Sequence, residues 1–226
     1  MLTGKFISFG NRLRLGSRLF RRRWHRLGTH LSRSVVDTAV ADRLFQLLDL
    51  LFVFDLYEAG CNLLFPGIRQ LTEREVGILR PIFGSSLPYE MMRIDERAWF
   101  GPRRYQFCYV SFHTINSWGP MSEAVLVHEA VHVWQYVQFG ACYIPRALSA
   151  QRTPMGYNYG ALKGLAAAAF LDDFNYEQMA DVIEDVFRLR RGLPPKWLVH
   201  HHPGTHLHFT HFVDQLRVYL PSAYAK

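Results

Sequence analysis

The sequence lacks both a standard secretory signal and an apolar run long enough to cross a bilayer. Its first strongly apolar run, Leu44–Tyr57, begins too late for a signal peptide. That run is also shorter than the roughly 20 residues that span a bilayer, and Asp49 and Asp55 interrupt it. We therefore predict a core helix at this position, no transmembrane segment, and synthesis of the protein in the cytoplasm.

Cysteine is scarce, and the three that are present, Cys61, Cys108 and Cys142, are far apart. An odd number at wide spacing gives neither an obvious disulfide framework nor a C-x-x-C metal pair. We expect free or buried thiols in a reducing compartment.

Acidic residues are absent from residues 1–34, which hold nine of the 26 Lys and Arg residues. The other 192 residues hold 17 basic and 19 acidic side chains, so the formal net charge of +7 arises in this segment. We predict a flexible basic arm over 1–34 and a single domain over 35–226. Such an arm is typical of a transit peptide, of a tether to a delivery apparatus or, with Phe20 and Trp24 interleaved, of nucleic-acid binding. Only the positive charge supports nucleic-acid binding, so we do not expect a nucleic-acid partner.

Apolar periodicity and capping signals divide the remainder into helices and short strands. Apolar residues three and four apart predict an amphipathic helix over Val35–Glu58, and Thr72 with Glu75 forms a capping box. Aromatic and branched residues predict two strands, Tyr89–Ile94 and Tyr105–Phe112. The later predicted elements are a helix from Ser122 to Phe139 ended by Gly140, a loop over 140–160, and helices over Ala161–Phe174 and Tyr176–Arg191. The pattern indicates an α+β fold, mainly helical, with a small antiparallel sheet beside the helix that starts at Ser122.

That helix carries the sequence His128-Glu129-Ala130-Val131-His132. Residues four apart lie on one helix face, so His128 and His132 can present both imidazoles to one ion. Glu129 is rotated by about 100° from His128. Its carboxylate therefore lies beside the ion, where it can take a proton from a water. The motif predicts a metal-binding helix with a general base, as metal-assisted hydrolysis requires.

A catalytic zinc site usually takes a third protein ligand, and the best candidate is Glu177 on the last long helix. Asp181 lies four residues further along on the same predicted face. One of these carboxylates can bind zinc while the other accepts the N–H of a liganding histidine and fixes its tautomer. Glu184 and Asp185 are rivals, but we expect both on the solvated face.

H-E-x-x-H followed by E-x-x-x-D on a later helix resembles the gluzincin clan of zincin metallopeptidases, to which thermolysin belongs. The resemblance implies that His128, His132 and Glu177 bind Zn²⁺, that Glu129 is the general base, and that Asp181 is the partner of a histidine. Over residues 70–190 the chain is also similar to small bacterial zincin-like proteins found with contractile injection systems, including spike-related (vgr-related) proteins of type VI secretion. The motifs that carry this similarity are Phe83-Gly84, Arg93-Ile94, Ile115-Asn116-Ser117, Gly119-Pro120, Ala150-Gln151, Tyr157-x-Tyr159 and Phe174-Asn175-x-Glu177.

Other residues are candidates for supporting roles. The strand Tyr105–Phe112 precedes the metal helix, and in zincins such an edge strand pairs with an extended substrate. Tyr157, Tyr159, His206 and His208 are candidate donors to the oxyanion of a tetrahedral intermediate. The histidine-rich tail over 199–208 could bind a second metal, cover the site or form a polar turn.

These features predict a zinc metallopeptidase that hydrolyses a peptide or amide bond, with Glu129 as the base. The substrate would be a peptide, a protein or a peptidoglycan cross-link, since all three require the same chemistry. The resemblance adds export or delivery by a secretion apparatus, with the basic arm as a possible contact. The alternative is a non-enzymatic zinc-bearing adaptor that docks on a secretion spike or another assembly.

Overall fold

The computed structural model describes residues 2–29, 39–65, 67–98, 102–105, 107–198, 207–218 and 220–224. Helices dominate these residues, and four short strands form one sheet. The α+β prediction is therefore confirmed. The helices are α1 (Leu2–Thr29), α2 (Ala39–Leu50), α3 (Val53–Leu64), α4 (Glu73–Phe83), α5 (Pro102–Tyr105), α6 (Glu123–Phe139), α7 (Tyr143–Gln151), α8 (Ala161–Ala167), α9 (Tyr176–Arg190) and α10 (Leu207–Leu216). The strands are β1 (Ile68–Gln70), β2 (Arg93–Asp95), β3 (Tyr109–Ser111) and β4 (Thr114–Asn116).

The hydrophobic core lies around α6, which is buried over nearly its whole length. Helix α9 packs along one side of it, and strands β3 and β4 contact it as well. Val127, Val131 and Ile183 are fully buried at the centre of this packing. The central position of α6 follows from its sequence, since apolar residues surround the histidine motif on every side.

The sheet is mixed, so the predicted all-antiparallel arrangement is wrong. The strand order is β1-β2-β4-β3, with β2 parallel to β4 and the other two pairs antiparallel. Strand β3 forms a hairpin with β4, and β4 returns beside β2 in the same direction. The strands are also shorter than predicted, because Pro102–Tyr105 forms a helical turn and Tyr89 lies in a turn.

Four helix caps confirm the boundaries read from the sequence. Thr72 and Glu75 form the predicted capping box of α4, and the Ser122 side chain accepts the Val125 N–H at the start of α6. Gly140 ends α6 with φ 80°, a conformation that glycine adopts without strain. Asn175 caps α9 by accepting from the N–H groups of Glu177 and Gln178. This cap fixes the first turn of α9.

Several predicted boundaries were wrong. The helix expected over Val35–Glu58 is two helices, because Phe52 adopts a left-handed conformation with φ 62° between α2 and α3. The predicted loop over 140–160 contains α7. The helix expected over Ala161–Phe174 ends at Ala167 and is followed by a short 3-10 turn, Leu171–Asp173.

The segment predicted as a flexible arm is helical over Leu2–Thr29, which forms α1. Arg12, Arg23 and Arg26 are buried against the rest of the chain. Arg26 donates to the carbonyls of Val137 and Gln138, which lie at the C-terminal end of α6, where a cation is favourable. These arginines therefore anchor α1, which charge alone did not reveal.

Helices α1, α2 and α3 are held together by charges in the interior. Arg23 lies 3.0 Å from Asp49 and 2.5 Å from Asp55, and Arg12 lies 2.5 Å from Glu58. Gly16 permits this close approach, because a Cβ there would lie 2.6 Å from the Phe52 ring. Within the described residues, no helix is long and apolar enough to span a membrane.

Candidate metal centre

The two histidines of the α6 motif and Glu177 of α9 converge in the core. His128 and His132 are buried on one face of α6, and Glu177 is buried in the first turn of α9. Glu177 Oε2 lies 3.6 Å from His128 Nε2 and 3.5 Å from His132 Nε2. The structure thus brings together the three residues predicted as ligands.

The donor set fits a metal of the zinc type. Zinc binds nitrogen and carboxylate oxygen at about 2.0–2.2 Å, so ligand atoms of a tetrahedral site lie about 3.3 Å apart. The ligand atoms of His128, His132 and Glu177 all lie within 4.8 Å of one another, close to that spacing. Two imidazoles and one carboxylate leave a fourth tetrahedral position without a protein ligand, as catalytic zinc sites do.

Asp181, predicted as the partner of a histidine, lies beside His128. Its Oδ1 lies 2.9 Å from His128 Nδ1, and Glu184 Oε2 lies 3.3 Å from the same nitrogen. A nitrogen that faces two carboxylates carries its proton there, so in the neutral ring Nε2, on the side of Glu177, is the nitrogen that can bind a metal. Burial lowers the pKa of His128, but hydrogen bonds to Asp181, Glu177 and Glu184 outweigh burial and raise it well above its usual value. The surroundings of this ring therefore favour a positive charge.

Gln135 orients His132, and the sequence analysis missed this residue. Its Nε2 donates to the Tyr176 carbonyl at 2.8 Å, so its Oε1 is the atom that faces His132 Nδ1 at 2.8 Å. The amide oxygen can only accept, so His132 is protonated on Nδ1 and its Nε2 is free to bind a metal. A signal was present in the sequence, since Gln135 lies three residues after His132 on the same helix face.

Glu129 lies next to the histidines without being a ligand. Its side chain is buried, and its Oε2 has no hydrogen-bond partner among the described residues. Burial raises the pKa of Glu129, and the attraction of His128 and His132 only partly offsets this. A buried carboxylate oxygen without a partner is costly, and a water or substrate proton would satisfy it.

The carboxylates on the far side of His128 form ion pairs and hydrogen bonds with the segment that follows α9. Lys196 Nζ lies 3.0 Å from Asp181 and 2.6 Å from Glu184, and Trp197 Nε1 donates to Asp181. Asp185 accepts from the backbone N–H groups of Lys196 and Trp197. Glu184 and Asp185 are fully buried, so our placement of both on a solvated face was wrong. Buried carboxylates must be paired, and here the partners come from a loop that periodicity does not detect.

The two tyrosines proposed as oxyanion donors lie in different surroundings. The ring centroids of Tyr157 and His128 are 6.1 Å apart, and burial raises the pKa of Tyr157, so its hydroxyl stays protonated at neutral pH. The Tyr159 hydroxyl donates to Asp185 at 2.6 Å. Its hydrogen is therefore used by that carboxylate and is not available as a donor beside the two histidines. The prediction for Tyr159 is therefore corrected, and Tyr157 remains the candidate. His206 and the tail over 199–206 lie outside the described residues, as does the side chain of His208.

Strand β3 lies at the edge of the sheet, beside the histidine motif. It pairs with β4 on one side, and no other described strand pairs with it. Cys108, which immediately precedes β3, interacts electrostatically with Glu129 and His128. Burial raises the pKa of Cys108 to about 11, so it is a thiol at neutral pH. All three cysteines are free, as predicted.

The chain is similar to a type VI secretion spike protein. This relative is the type VI secretion system spike protein VgrG2b of Pseudomonas aeruginosa, and the two are 26% identical over 133 residues. The alignment covers 53% of this chain and 13% of the relative, so the chain spans a small part of that protein's length. No family model and no solved structure matches the chain. The chain therefore has a distant link to type VI secretion.

If Gln135 fixes the tautomer of His132, replacing it should weaken metal binding without unfolding the protein. We expect Gln135→Leu to lower zinc affinity about 10- to 100-fold, as the loss of a histidine's partner generally does. Gln135→Glu should retain most of the affinity, because a carboxylate still accepts the Nδ1 proton. Competition with a chromogenic chelator measures the affinity. Gln138→Leu on the same helix is the matched control, since Gln138 contacts Arg22 instead of a histidine, and equal affinities for Gln135→Leu and this control would contradict the assignment.

Proposed function

We propose that this chain is a zinc-dependent metallopeptidase that hydrolyses a peptide or amide bond. One observation carries the proposal: a buried carboxylate with an unpartnered oxygen, Glu129, lies beside the converging His128, His132 and Glu177. A purely structural metal site has no need for such a group, because a buried unpaired oxygen only costs stability.

The residues of the site have distinct tasks in this reaction. A zinc ion held by His128, His132 and Glu177 would supply a Lewis acid that activates water and polarises the substrate carbonyl. Glu129 would take the proton of the attacking water and deliver it to the leaving amine nitrogen. Tyr157, whose hydroxyl stays protonated, would donate to the carbonyl oxygen as negative charge develops there.

The edge strand β3 would align an extended substrate. No described strand pairs with its other edge, where a peptide would add and displace the bond that the Tyr143 hydroxyl donates to the Val110 carbonyl, and Cys108 places its start beside Glu129. A peptide that adds to this edge would bring its scissile bond towards the histidines. A protein segment and a peptidoglycan cross-link both meet this requirement.

The similarity to the VgrG2b spike protein supports a role together with a type VI secretion apparatus. We propose that the chain is delivered by such an apparatus, or acts on or near it. The same similarity favours a second candidate function, a zinc-bearing adaptor that docks on a spike without catalysis. The unpartnered oxygen of Glu129 supports the enzyme over the adaptor.

Metal analysis and a cleavage assay on the full chain would separate the two functions. We expect about one zinc per chain and cleavage of members of a peptide library, because the two described three-residue groups share His128 and only His128, His132 and Glu177 lie away from the Lys196 ammonium. A chelator should abolish the cleavage, and added zinc should restore it. Stoichiometric zinc without turnover on protein, peptide or peptidoglycan substrates would refute the enzyme and support the adaptor.

A further inference from the structure

Helices α2 and α3 present several large apolar residues outward and their acidic residues inward. Val40, Leu44 and Leu47 lie on one face of helix α2, and Leu51, directly after its last residue, continues this stripe. The side chains along it are exposed to 82% for Val40, 52% for Leu44, 43% for Leu47 and 59% for Leu51. On α3, Val53 and Leu56 continue this exposed apolar surface. We call these six residues the outer face.

Buried ion pairs fix this orientation. The inward carboxylates Asp42, Asp49, Asp55 and Glu58 pair with arginines from α1 and α7. Rotating the two helices to bury the leucines would break all of these pairs and leave the arginines without partners. The apolar outer face is therefore built into the fold. Exposed apolar residues clustered in this way are typical of an interaction site.

Helix α1 extends the outer face with aromatic and cationic side chains. Phe20 stacks on Phe52 with ring centroids 6.2 Å apart, and Trp24 stacks on Phe20 at 6.5 Å. Trp24 is 63% exposed. Four arginines are exposed in this region. Arg14, Arg18 and Arg21 lie on α1, and Arg43 lies beside the stripe on α2.

The charges identify the chemistry of the partner. Among the described side chains from Gly10 to Phe65, every carboxylate is buried, and the exposed charged residues are all arginines. Protein interfaces have a polar rim in which hydrogen-bond donors and acceptors are matched. Phospholipid headgroups instead offer phosphate oxygens, which only accept hydrogen bonds. Beneath the headgroups lies a layer of hydrocarbon. Arginines beside leucines, with Trp and Phe at their boundary, match that arrangement.

We propose that the outer face and the exposed arginines of α1 and α2 bind the surface of an anionic phospholipid bilayer. The leucines and Val40 enter the boundary of the acyl chains, and the arginines contact the headgroup phosphates. The protein lies on the bilayer, since none of its described helices can span one. This binding is independent of the proposed hydrolysis, because the outer face is formed by elements that do not carry His128, Glu129, His132 or Glu177.

Vesicle flotation of the full chain tests the proposal. We expect the chain to float with phosphatidylcholine vesicles that contain about one third phosphatidylglycerol, and about tenfold less with phosphatidylcholine alone. Raising the salt concentration should weaken the binding, since it screens exposed charges. The double variant Leu44→Gln/Leu51→Gln should lower binding to the anionic vesicles at least about tenfold. Both side chains are exposed, so the fold should be kept, and circular dichroism checks this.

A matched control variant and a fluorescence measurement on the unmodified chain complete the test. Leu162→Gln/Leu193→Gln removes two exposed leucines outside α1–α3 and should bind like the unmodified chain. Brominated lipids should quench the tryptophan fluorescence of the unmodified chain, and much less that of Trp24→Phe. The proposal is overturned if no vesicle binds, or if Leu44→Gln/Leu51→Gln binds like the control. A dimer that this variant dissociates, without vesicle binding, would overturn it too and make the outer face a contact between copies.

Discussion

Glu129→Gln should lower kcat/KM for peptide cleavage about 10²- to 10⁴-fold while the zinc content stays the same. The loss is that of a general base, because glutamine has the shape of glutamate but cannot take the proton of water. The metal should be retained because Glu129 is not among the converging ligand atoms. The fold should also be retained, since the neutral amide removes a buried charge whose oxygen has no partner. Metal analysis and steady-state kinetics on the same preparation measure both quantities.

Glu123→Gln provides the matched control for that variant. Glu123 lies on the same helix, α6, but pairs with Arg74 and Arg191 at the surface. The same substitution there should leave kcat/KM nearly unchanged, because exposed ion pairs contribute little. If Glu129→Gln cleaved peptides as fast as Glu123→Gln, Glu129 would not be the base and the proposed mechanism would be wrong.

The sequence predicted which residues converge at the candidate centre, but not what holds them there. His128, Glu129 and His132 follow from helical spacing alone, and Glu177 with Asp181 follows from the need for a third ligand and a partner. The roles of Glu184 and Lys196 depend on how α9 and the loop after it pack behind His128. Spacing within one helix does not contain that information, so Glu184 was assigned to the solvent.

The α+β class could also be predicted, whereas the environment of α1–α3 could not. Apolar periodicity in α2 correctly predicted a helix, and its usual meaning is a face that packs on the core. Here the opposite face is buried, because Asp42 and Asp49 pair with Arg146 and Arg23. Ion pairs between distant segments, and not the apolar periodicity, therefore decide which face of α2 is buried. The basic composition of α1 likewise indicated a solvated arm, since its acidic partners are far away in sequence.

The second large effect that we expect is a loss of stability in Arg23→Met. Arg23 is 1% exposed and lies within 3.2 Å of Asp49, Asp55 and the Tyr136 hydroxyl. Its removal leaves two carboxylates buried without their cation, which costs about 3–5 kcal/mol of unfolding free energy. Urea unfolding followed by circular dichroism measures the change. Arg21→Met on the same helix is the matched control, and this exposed substitution should stay within about 0.5 kcal/mol.

The destabilisation should depend on pH in a definite direction. Burial raises the pKa of Asp49 above its usual value even with Arg23 present, and loss of Arg23 should raise it further. An acid whose pKa is higher in the folded state destabilises that state once the pH exceeds the unfolded pKa, and this penalty disappears as the pH falls. The stability gap between Arg23→Met and Arg21→Met should therefore narrow as the pH is lowered from neutral towards about 4. A gap that widened on acidification, or no gap at neutral pH, would show that α1 is not held by this buried pair of carboxylates.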